Sequence, residues 1–301
     1  MDFEIATKSD AGKIRAVNED YVAFNQALKL ALVCDGMGGH RSGEKASRFA
    51  GEFILSLFRS LDTSTSEKIT GDIREKLPGE IKRLIAAIRL TNRKLFQLSL
   101  ASEKLRGMGT TLAVLFVGND FFAAAYIGDS RIYRIRNKEI EQISEDHTFV
   151  NELIADGEIS PDQAEKIQRA HVITRALGLE PTVKIDVQCG AVRDGDLFLL
   201  CTDGLTRALT DQDILRIAQF NGDKLAHLAQ HLVDDAAMRD GADNISVVTV
   251  KVKNVSAEGG DTGCHFLTIS DEPKSILKTE DRFWRQKSQL AEIKQIFQMV
   301  K

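Results

Sequence analysis

Leu30-Ala31-Leu32-Val33-Cys34-Asp35-Gly36-Met37-Gly38-Gly39-His40 begins as an apolar run, turns on a carboxylate and leaves through a glycine loop. The run has the length of a buried strand. A carboxylate at its end, followed by glycine, sits at a sheet edge where the backbone is free to approach a ligand. The construction recurs along the chain. Leu197–Cys201 leads into Thr202-Asp203-Gly204, Tyr126-Ile127-Gly128 leads into Asp129, and Gly241-Ala242-Asp243-Asn244 precedes the apolar run that starts at Ile245. One Asp-Gly after a strand is ordinarily a turn. Asp35, Asp129, Asp203 and Asp243 together are harder to read that way, because carboxylates are rarely held against a core unless paired or bound to metal. An all-oxygen set suits the hard divalent cations Mg2+ and Mn2+ better than Zn2+.

Working outward, the segments 21–24, 30–34, 110–117, 121–127, 131–135, 183–187, 197–201 and 245–252 are rich in β-branched and aromatic residues and are bounded by Gly, Asp or Asn. Gly118-Asn119-Asp120 reads as a tight hairpin between two of them. Two long helical patterns interrupt the strands. One covers 44–61, with Phe49, Phe53, Leu57 and Leu61 four apart; the other covers 78–100, with Ile81, Leu84, Ile85, Ile88, Leu95 and Leu98 on one stripe. A second helical pair spans 211–220 and 224–238. This order predicts an α+β fold in which two antiparallel sheets pack together and helix pairs cover the outer faces. The polar stretch 146–181 reads as a flap inserted beside the strand ends. Polar, glycine-containing 256–263 places the end of the compact domain near Asn254, giving a catalytic unit 1–254 and a linker and tail 255–301.

The bulk composition narrows the function. At 301 residues, 43% apolar, 28% charged and a net charge of −4, the chain carries no sequence-wide basic field for nucleic acid or an anionic membrane. Met1-Asp2-Phe3-Glu4 lacks the basic-then-apolar pattern of a leader, and no apolar run reaches membrane-spanning length. Cys34, Cys189, Cys201 and Cys264 are scattered without a C-x-x-C pair. They read as small buried hydrophobes in a reducing compartment, so a cytoplasmic location is expected.

Competing motif readings fail on particular residues. A dinucleotide fingerprint would need glycine where Arg41 stands and would set Asp35 against a pyrophosphate. A Walker loop lacks its Gly-Lys-Ser/Thr ending. His227 and His231 have the spacing of a helical zinc pair but not its glutamate, so they read as ordinary helix residues. His40, His147 and His171 are read as structural, with His40 kept as a proton donor close to Asp35. Arg15 stands just upstream of Glu19 and Asp20 and offers the bidentate fork that matches phosphate oxygens.

The ordered segments Arg15-x-x-Asn18-Glu19-Asp20, Asp35-Gly36-Met37-Gly38-Gly39-His40, Gly107-Met108-Gly109-Thr110-Thr111, Ile127-Gly128-Asp129-Ser130-Arg131, Thr174-Arg175-Ala176-Leu177-Gly178, Thr202-Asp203-Gly204-Leu205 and Asp243-Asn244-Ile245-Ser246 resemble the protein phosphatase 2C, or metal-dependent protein phosphatase, family in its bacterial form. The resemblance spans residues 7–252. It implies a four-layer αββα sandwich with the metals in the channel between the sheets. It further implies that Asp35 bridges two Mn2+ or Mg2+ ions, that the Gly36 carbonyl binds one, and that Asp203 and Asp243 hold the other. Asp129 with Asp203 would hold a weaker third ion. Glu19 and Asp20 would act through water, with Asn244 beside them, and Arg15 would grip the substrate phosphate. Met37 stands where animal members carry a histidine proposed as general acid, which leaves proton donation to a metal-bound water or to His40.

The activity these features imply is hydrolysis of phosphoserine and phosphothreonine by a hydroxide shared between two ions, with no covalent intermediate. No cysteine lies in a C-x5-R loop. The expected partners are phosphoproteins, a serine/threonine kinase or its targets among them. A catalytically silent phosphoprotein-binding module and a phosphatase of a partner-switching anti-sigma antagonist are the alternatives. In the tail, Phe283, Leu290, Ile293, Ile296, Phe297 and Val300 fall largely on one face of a helical pattern over 281–301. That stripe reads as packed back on the domain, as a docking helix for a partner or a second copy, or, least of the three because its polar face is not strongly basic, as a membrane-surface helix.

Overall fold

A computed structural model describes residues 1–39, 42–70, 77–164, 167, 172–221, 224–255, 266–269, 295–296 and 298. In chain order the elements are β1 (Asp2–Asp10), β2 (Asp20–Asn25), β3 (Leu30–Met37), α1 (Ser42–Ser60), α2 (Thr63–Thr70), α3 (Gly79–Ala101), β4 (Gly109–Thr110), β5 (Leu112–Val117), β6 (Phe121–Ile127), β7 (Arg131–Arg136) and β8 (Glu139–Gln142). They continue with α4 (Phe149–Ala155), α5 (Pro161–Ala164), β9 (Ile185–Ala191), β10 (Leu197–Cys201), α6 (Asp203–Ala208), α7 (Asp211–Asn221), α8 (Leu225–Arg239), β11 (Ile245–Lys253) and β12 (Phe266–Ile269). One sheet runs β1-β11-β10-β7-β8 and the other β12-β9-β6-β5-β3-β2, with β4 paired to β3. Every strand pairing is antiparallel.

Period-two alternation sorts side chains into three core layers. On β5, Leu112, Val114 and Phe116 face an outer layer shared with α1 and α3, whereas Ala113, Leu115 and Val117 enter the layer between the sheets. On β10, Leu197, Leu199 and Cys201 face the opposite outer layer under α6, α7 and α8, and Phe198 and Leu200 point inward. Phe122 and Phe198 meet between the sheets with ring centroids 5.0 Å apart. Buried strands of this kind end at the edges of the inter-sheet channel, and there the aspartates emerge. The αββα expectation holds. The hairpin at Gly118 also forms, closed by the Gly118 amide donating to the Phe121 carbonyl at 2.7 Å.

Several elements depart from the sequence reading. β1 is an edge strand with only Phe3 buried, so no full alternation marks it in sequence. α2 is a Ser/Thr-rich helix docked by the fully buried Arg89, whose guanidinium donates to the carbonyls of Ile69 and Thr70. β9 is centred later than the expected 183–187. Within the expected flap 146–181, the described residues form α4, capped by the Thr148 hydroxyl accepting from the Asn151 amide, and α5. Past the boundary placed near Asn254, β12 adds to the second sheet beside β9, and Ile269 and Ile296 are buried in the layer that includes α1 and α3. Apart from 295–296 and 298, the stretch 281–301 lies outside the described residues.

The cysteine reading needs correction. Cys34 and Cys201 are free and buried, but Cys189 is disulfide-bonded, so the four do not all read as reduced thiols. Cys264 lies outside the described residues. Among the described residues no helix is long and apolar enough to cross a membrane.

Away from the site, one ion pair matters for stability. The Asp196 carboxylate is fully buried and is held by Arg136 through Nε and Nη2, each at 2.6 Å, and by the Arg193 amide at 2.8 Å. Arg136→Ala leaves that charge uncompensated and is expected to cost about 3–5 kcal/mol in urea unfolding. A loss below about 1 kcal/mol would show the pair to be dispensable.

Candidate metal centre

Asp35 is fixed by its main chain. Its amide donates to Thr111 Oγ1 at 2.9 Å, and its carbonyl accepts from Thr110 Oγ1 at 2.8 Å and from the Thr111 amide at 2.9 Å. Across the ladder Asp20 stands directly opposite. Gly36 continues the turn, and its amide donates to the Glu19 carbonyl at 3.1 Å. A Cβ there would lie 2.1 Å from the Gly43 carbonyl oxygen and 2.6 Å from that of Glu19. Only glycine lets the start of α1 close onto the strand end.

Asp203 opens α6 directly after β10. A Cβ on Gly204 would meet the Asn244 carbonyl oxygen at 2.1 Å, so a side chain there would push α6 away from the entry to β11 and separate Asp203 from Asp243. Asn244, 6% exposed, does the corresponding work on the other side. Its Oδ1 accepts from the Glu19 amide at 2.8 Å, and its Nδ2 donates to the carbonyls of Ala11 and Val17 at 3.0 and 3.1 Å. One buried amide thus ties the loop bearing Arg15 and Glu19 to Asp243.

The carboxylates crowd one another. Burial, then the charges of Asp20, Asp203, Asp129 and Asp243, push Asp35 well above the ordinary carboxylate range. Burial likewise raises Asp20 to about 7 against the bonds from Ser246 and Thr202, with Asp203 and Asp243 adding to the rise. Asp129 is raised to about 7 by burial, then by Asp203 and Asp146. Asp20 Oδ2 accepts from Thr202 Oγ1 at 2.8 Å, but its Oδ1 is buried without a hydrogen-bond partner. Crowded buried carboxylates with an orphaned oxygen are the environment a cation relieves.

Two guanidinium groups stand among them. Arg15 forks onto Asp243, Nε to Oδ1 and Nη2 to Oδ2, both at 3.0 Å. Arg207, which the sequence reading missed, lies one helical turn after Asp203 on α6; it pairs with Asp203 and reaches Asp243 Oδ2 at 3.2 Å. The i, i+4 spacing on a helix was the available signal. Among the described residues no three His, Cys, Asp or Glu side chains already stand close enough to hold a metal ion together. The fit to a metal rests on the donor chemistry: Asp35, the Gly36 carbonyl, Asp129, Asp203 and Asp243 are all oxygen donors, and burial and nearby charge disfavour ionising Asp35 and Asp129 without a cation. His40 lies outside the described residues.

A two-sheet sandwich with aspartates gathered at its channel offers an all-oxygen site of the kind that hard divalent cations take. The chain belongs to the protein phosphatase 2C family, whose sequence profile matches residues 13–240. It is 38% identical over 251 residues to the serine/threonine protein phosphatase PstP of Mycobacterium tuberculosis, covering 82% of this chain and 44% of that protein. The chain thus spans less than half the length of that relative. It is 34% identical over 258 residues to the protein phosphatase PhpP of Streptococcus pneumoniae, covering 85% of this chain and 100% of that one. The solved catalytic domain of a PstP in complex with two manganese ions superposes with a TM-score of 0.69 at 33% identity, covering 84% of this chain and 99% of that structure.

Proposed function

We propose that this chain is a metal-dependent serine/threonine protein phosphatase that hydrolyses phosphoserine and phosphothreonine directly, without a phosphoenzyme. The observation that carries the reading is the gathering of five aspartates at one end of the inter-sheet channel: Asp20, Asp35 and Asp129 are destabilised as anions by burial and by one another or by the neighbouring Asp203 and Asp243. Asp35, the Gly36 carbonyl, Asp203 and Asp243 would hold two Mn2+ or Mg2+ ions, and Asp129 with Asp203 a weaker third. When bound, such a pair supplies a water acidic enough to act as nucleophile at neutral pH.

The chain's own residues do the rest. Glu19 and Asp20 orient water, and Thr202 holds Asp20 for that purpose. Arg15, now on Asp243, offers the fork that a phosphate's equatorial oxygens match. A cysteine nucleophile has no support among the described residues. Burial pushes Cys201 up to about 12 and raises Cys34 as well, so neither is a thiolate at neutral pH.

Phosphoproteins, including a serine/threonine kinase or its targets, are the proposed substrates. Self-association or partner docking through 281–301 has against it Ile296, a residue of that stripe that is buried on the domain. A cytoplasmic location, where kinases draw on ATP, accords with the free thiols of Cys34 and Cys201, whereas the disulfide at Cys189 counts against it.

The test is hydrolysis of a phosphothreonine peptide with chelator and then with Mn2+. Activity should vanish and return. Arg15→Ala should raise KM about tenfold or more with a smaller change in kcat, because the lost contact is made in both ground and transition states. Full turnover in chelator would overturn the reading. Phosphopeptide binding without turnover at saturating Mn2+ would favour the silent binding module.

A further inference from the structure

The hydrolytic reading leaves one buried polar cluster without a role. His147 is 4% exposed and Asp186 4% exposed. Nε2 of His147 lies 2.8 Å from Asp186 Oδ2, and the ring stacks on Tyr126 with centroids 5.5 Å apart. Asp186 on β9 pairs with Tyr126 on β6 across the ladder, so the imidazole is braced against the body of the second sheet.

On its other side the same residue holds Gly128 at both its amide and its carbonyl, one bond to each of the two peptide groups that flank it. The Gly128 amide donates to His147 Nδ1 at 3.0 Å, and the His147 amide donates to the Gly128 carbonyl at 2.9 Å. Acceptance at Nδ1 fixes the tautomer: Nε2 carries the hydrogen and donates to Asp186. Gly128 takes a φ of +99°, a conformation that needs holding, and the next residue is Asp129.

His147 also begins the flap. Its carbonyl accepts from the Thr174 amide at 2.9 Å, Thr148 and Ile173 form a bridge, and the Phe149 amide donates to the Val172 carbonyl at 2.8 Å. Arg175 donates to Asp186 Oδ2 at 3.1 Å, and Thr174 donates to Glu152 on α4 at 2.8 Å. The two ends of the flap therefore meet at His147, on the residue that clamps Gly128.

We propose that His147 is a positioning residue for the hydrolytic centre: it fixes the Gly128 peptide and through it Asp129, and it locks the base of the flap to that loop. The proposal rests on the reading of Asp129 as a ligand of the weaker ion. Partners one shell removed from a metal commonly set its affinity by tenfold or more.

The side chains available allow the two faces of the ring to be separated. In His147→Asn the amide oxygen falls near the place of Nδ1 and can accept from Gly128, but nothing reaches Asp186. In His147→Gln the amide reaches toward Asp186, but the Gly128 amide is orphaned. Mn2+ binding to the full chain is measured calorimetrically without substrate, beside Asp129→Ala as the reference for the weaker ion. The expected result is that His147→Gln and His147→Ala weaken that ion about tenfold or more, that His147→Asn restores most of the loss, and that the two tighter ions are unchanged in all three. A purely structural role would not produce rescue by Asn over Gln. Should the Ala variant not fold, Asn against Gln carries the comparison.

Kinetics on a phosphothreonine peptide and an aryl phosphate follow. Asp186→Asn, which removes the charge facing His147 Nε2 and Arg175 but keeps an accepting oxygen, should leave the aryl-phosphate kinetics and the weaker ion's affinity alone. If Asp129→Ala removes no ion from the wild-type count, the metal reading of Asp129 fails and the proposal fails with it. If that ion exists and all three His147 variants keep it, or Asn does no better than Gln, the positioning role alone is overturned.

Discussion

Asp35→Asn is expected to abolish phosphopeptide hydrolysis, with kcat/KM falling at least a thousandfold, while the metal-free protein becomes more stable. Asp35 is the carboxylate on which the others converge: its proton affinity is raised first by burial and then by Asp20, Asp203, Asp129 and Asp243. A neutral amide of nearly the same shape removes the repulsion. Its main-chain bonds to Thr110 and Thr111 do not depend on the side chain, so the turn survives. What is lost is the anionic oxygen pair that would bridge two ions. Chelator-treated Asp35→Asn should therefore melt several degrees above the chelator-treated wild type, and Mn2+ should raise its melting temperature far less. Sites built for function store instability of this kind. A variant that is inactive because it is unfolded, or one that keeps its Mn2+ stabilisation, would contradict the assignment of Asp35 as the bridging ligand.

The parts of the molecule legible in sequence are those where one physical rule acts alone. β3, β5, β6 and β10 are buried on both faces, so each appears as an apolar run, and the aspartate that follows marks where the run leaves the core. The long helices α1 and α3 announce themselves by their stripes. β1 does not, because it is an edge strand that pairs along its whole length with β11 while burying only Phe3; main-chain bonding holds it, and main-chain bonding has no composition. α2 is held largely from outside, by Arg89 reaching in from α3. β12 is recruited by the open edge of β9 and follows a polar stretch that reads as the end of the domain.

In the site the same division holds. The aspartates could be found from their position after strands, and their grouping rests on the packing of the two sheets, which brings the end of β3 from one and those of β10 and β11 from the other to one channel. Asn244 was visible only as the neighbour of Asp243. Its three bonds to the 11–19 loop join residues more than 200 positions apart in sequence, which no local pattern encodes. Arg207 was hidden for the opposite reason, since an arginine one turn along a helix is ordinarily a solvated surface charge. His147 looked structural and is structural in its contacts; what gives it consequence is the identity of the peptide it holds.

Metal-free protein is expected to lose thermal stability as the pH rises from about 4 to about 7 and to regain it on addition of Mn2+. Asp129 sits at about 7 against a usual 3.8, through burial first and then Asp203 and Asp146. Asp20 is raised to about 7 and Asp35 moves in the same direction. Below about pH 4 these groups are protonated in both the folded and unfolded states and their contribution is fully present. Between there and about 7 the unfolded chain releases protons that the folded protein keeps, so each pH unit removes ~1.4 kcal/mol per group. Above about 7 Asp20 and Asp129 are ionised in both states and their loss is complete. For Asp129 alone the window of about three units amounts to ~4 kcal/mol, or about 10 °C in a chain of this size. Asp186 and Asp213 are shifted the other way, and their contribution is lost only as the pH falls below about 4, outside this window. Mn2+ held by these carboxylates would need them ionised, so its stabilisation should be slight at pH 5 and large at pH 7.5. Melting curves from pH 4.5 to 8, with chelator and with Mn2+, should therefore diverge steadily as pH rises. Parallel curves would mean that these carboxylates do not take up the ions, and a chelator curve that climbs toward pH 7 would mean that the crowding of Asp20, Asp35 and Asp129 is relieved by something within the fold itself.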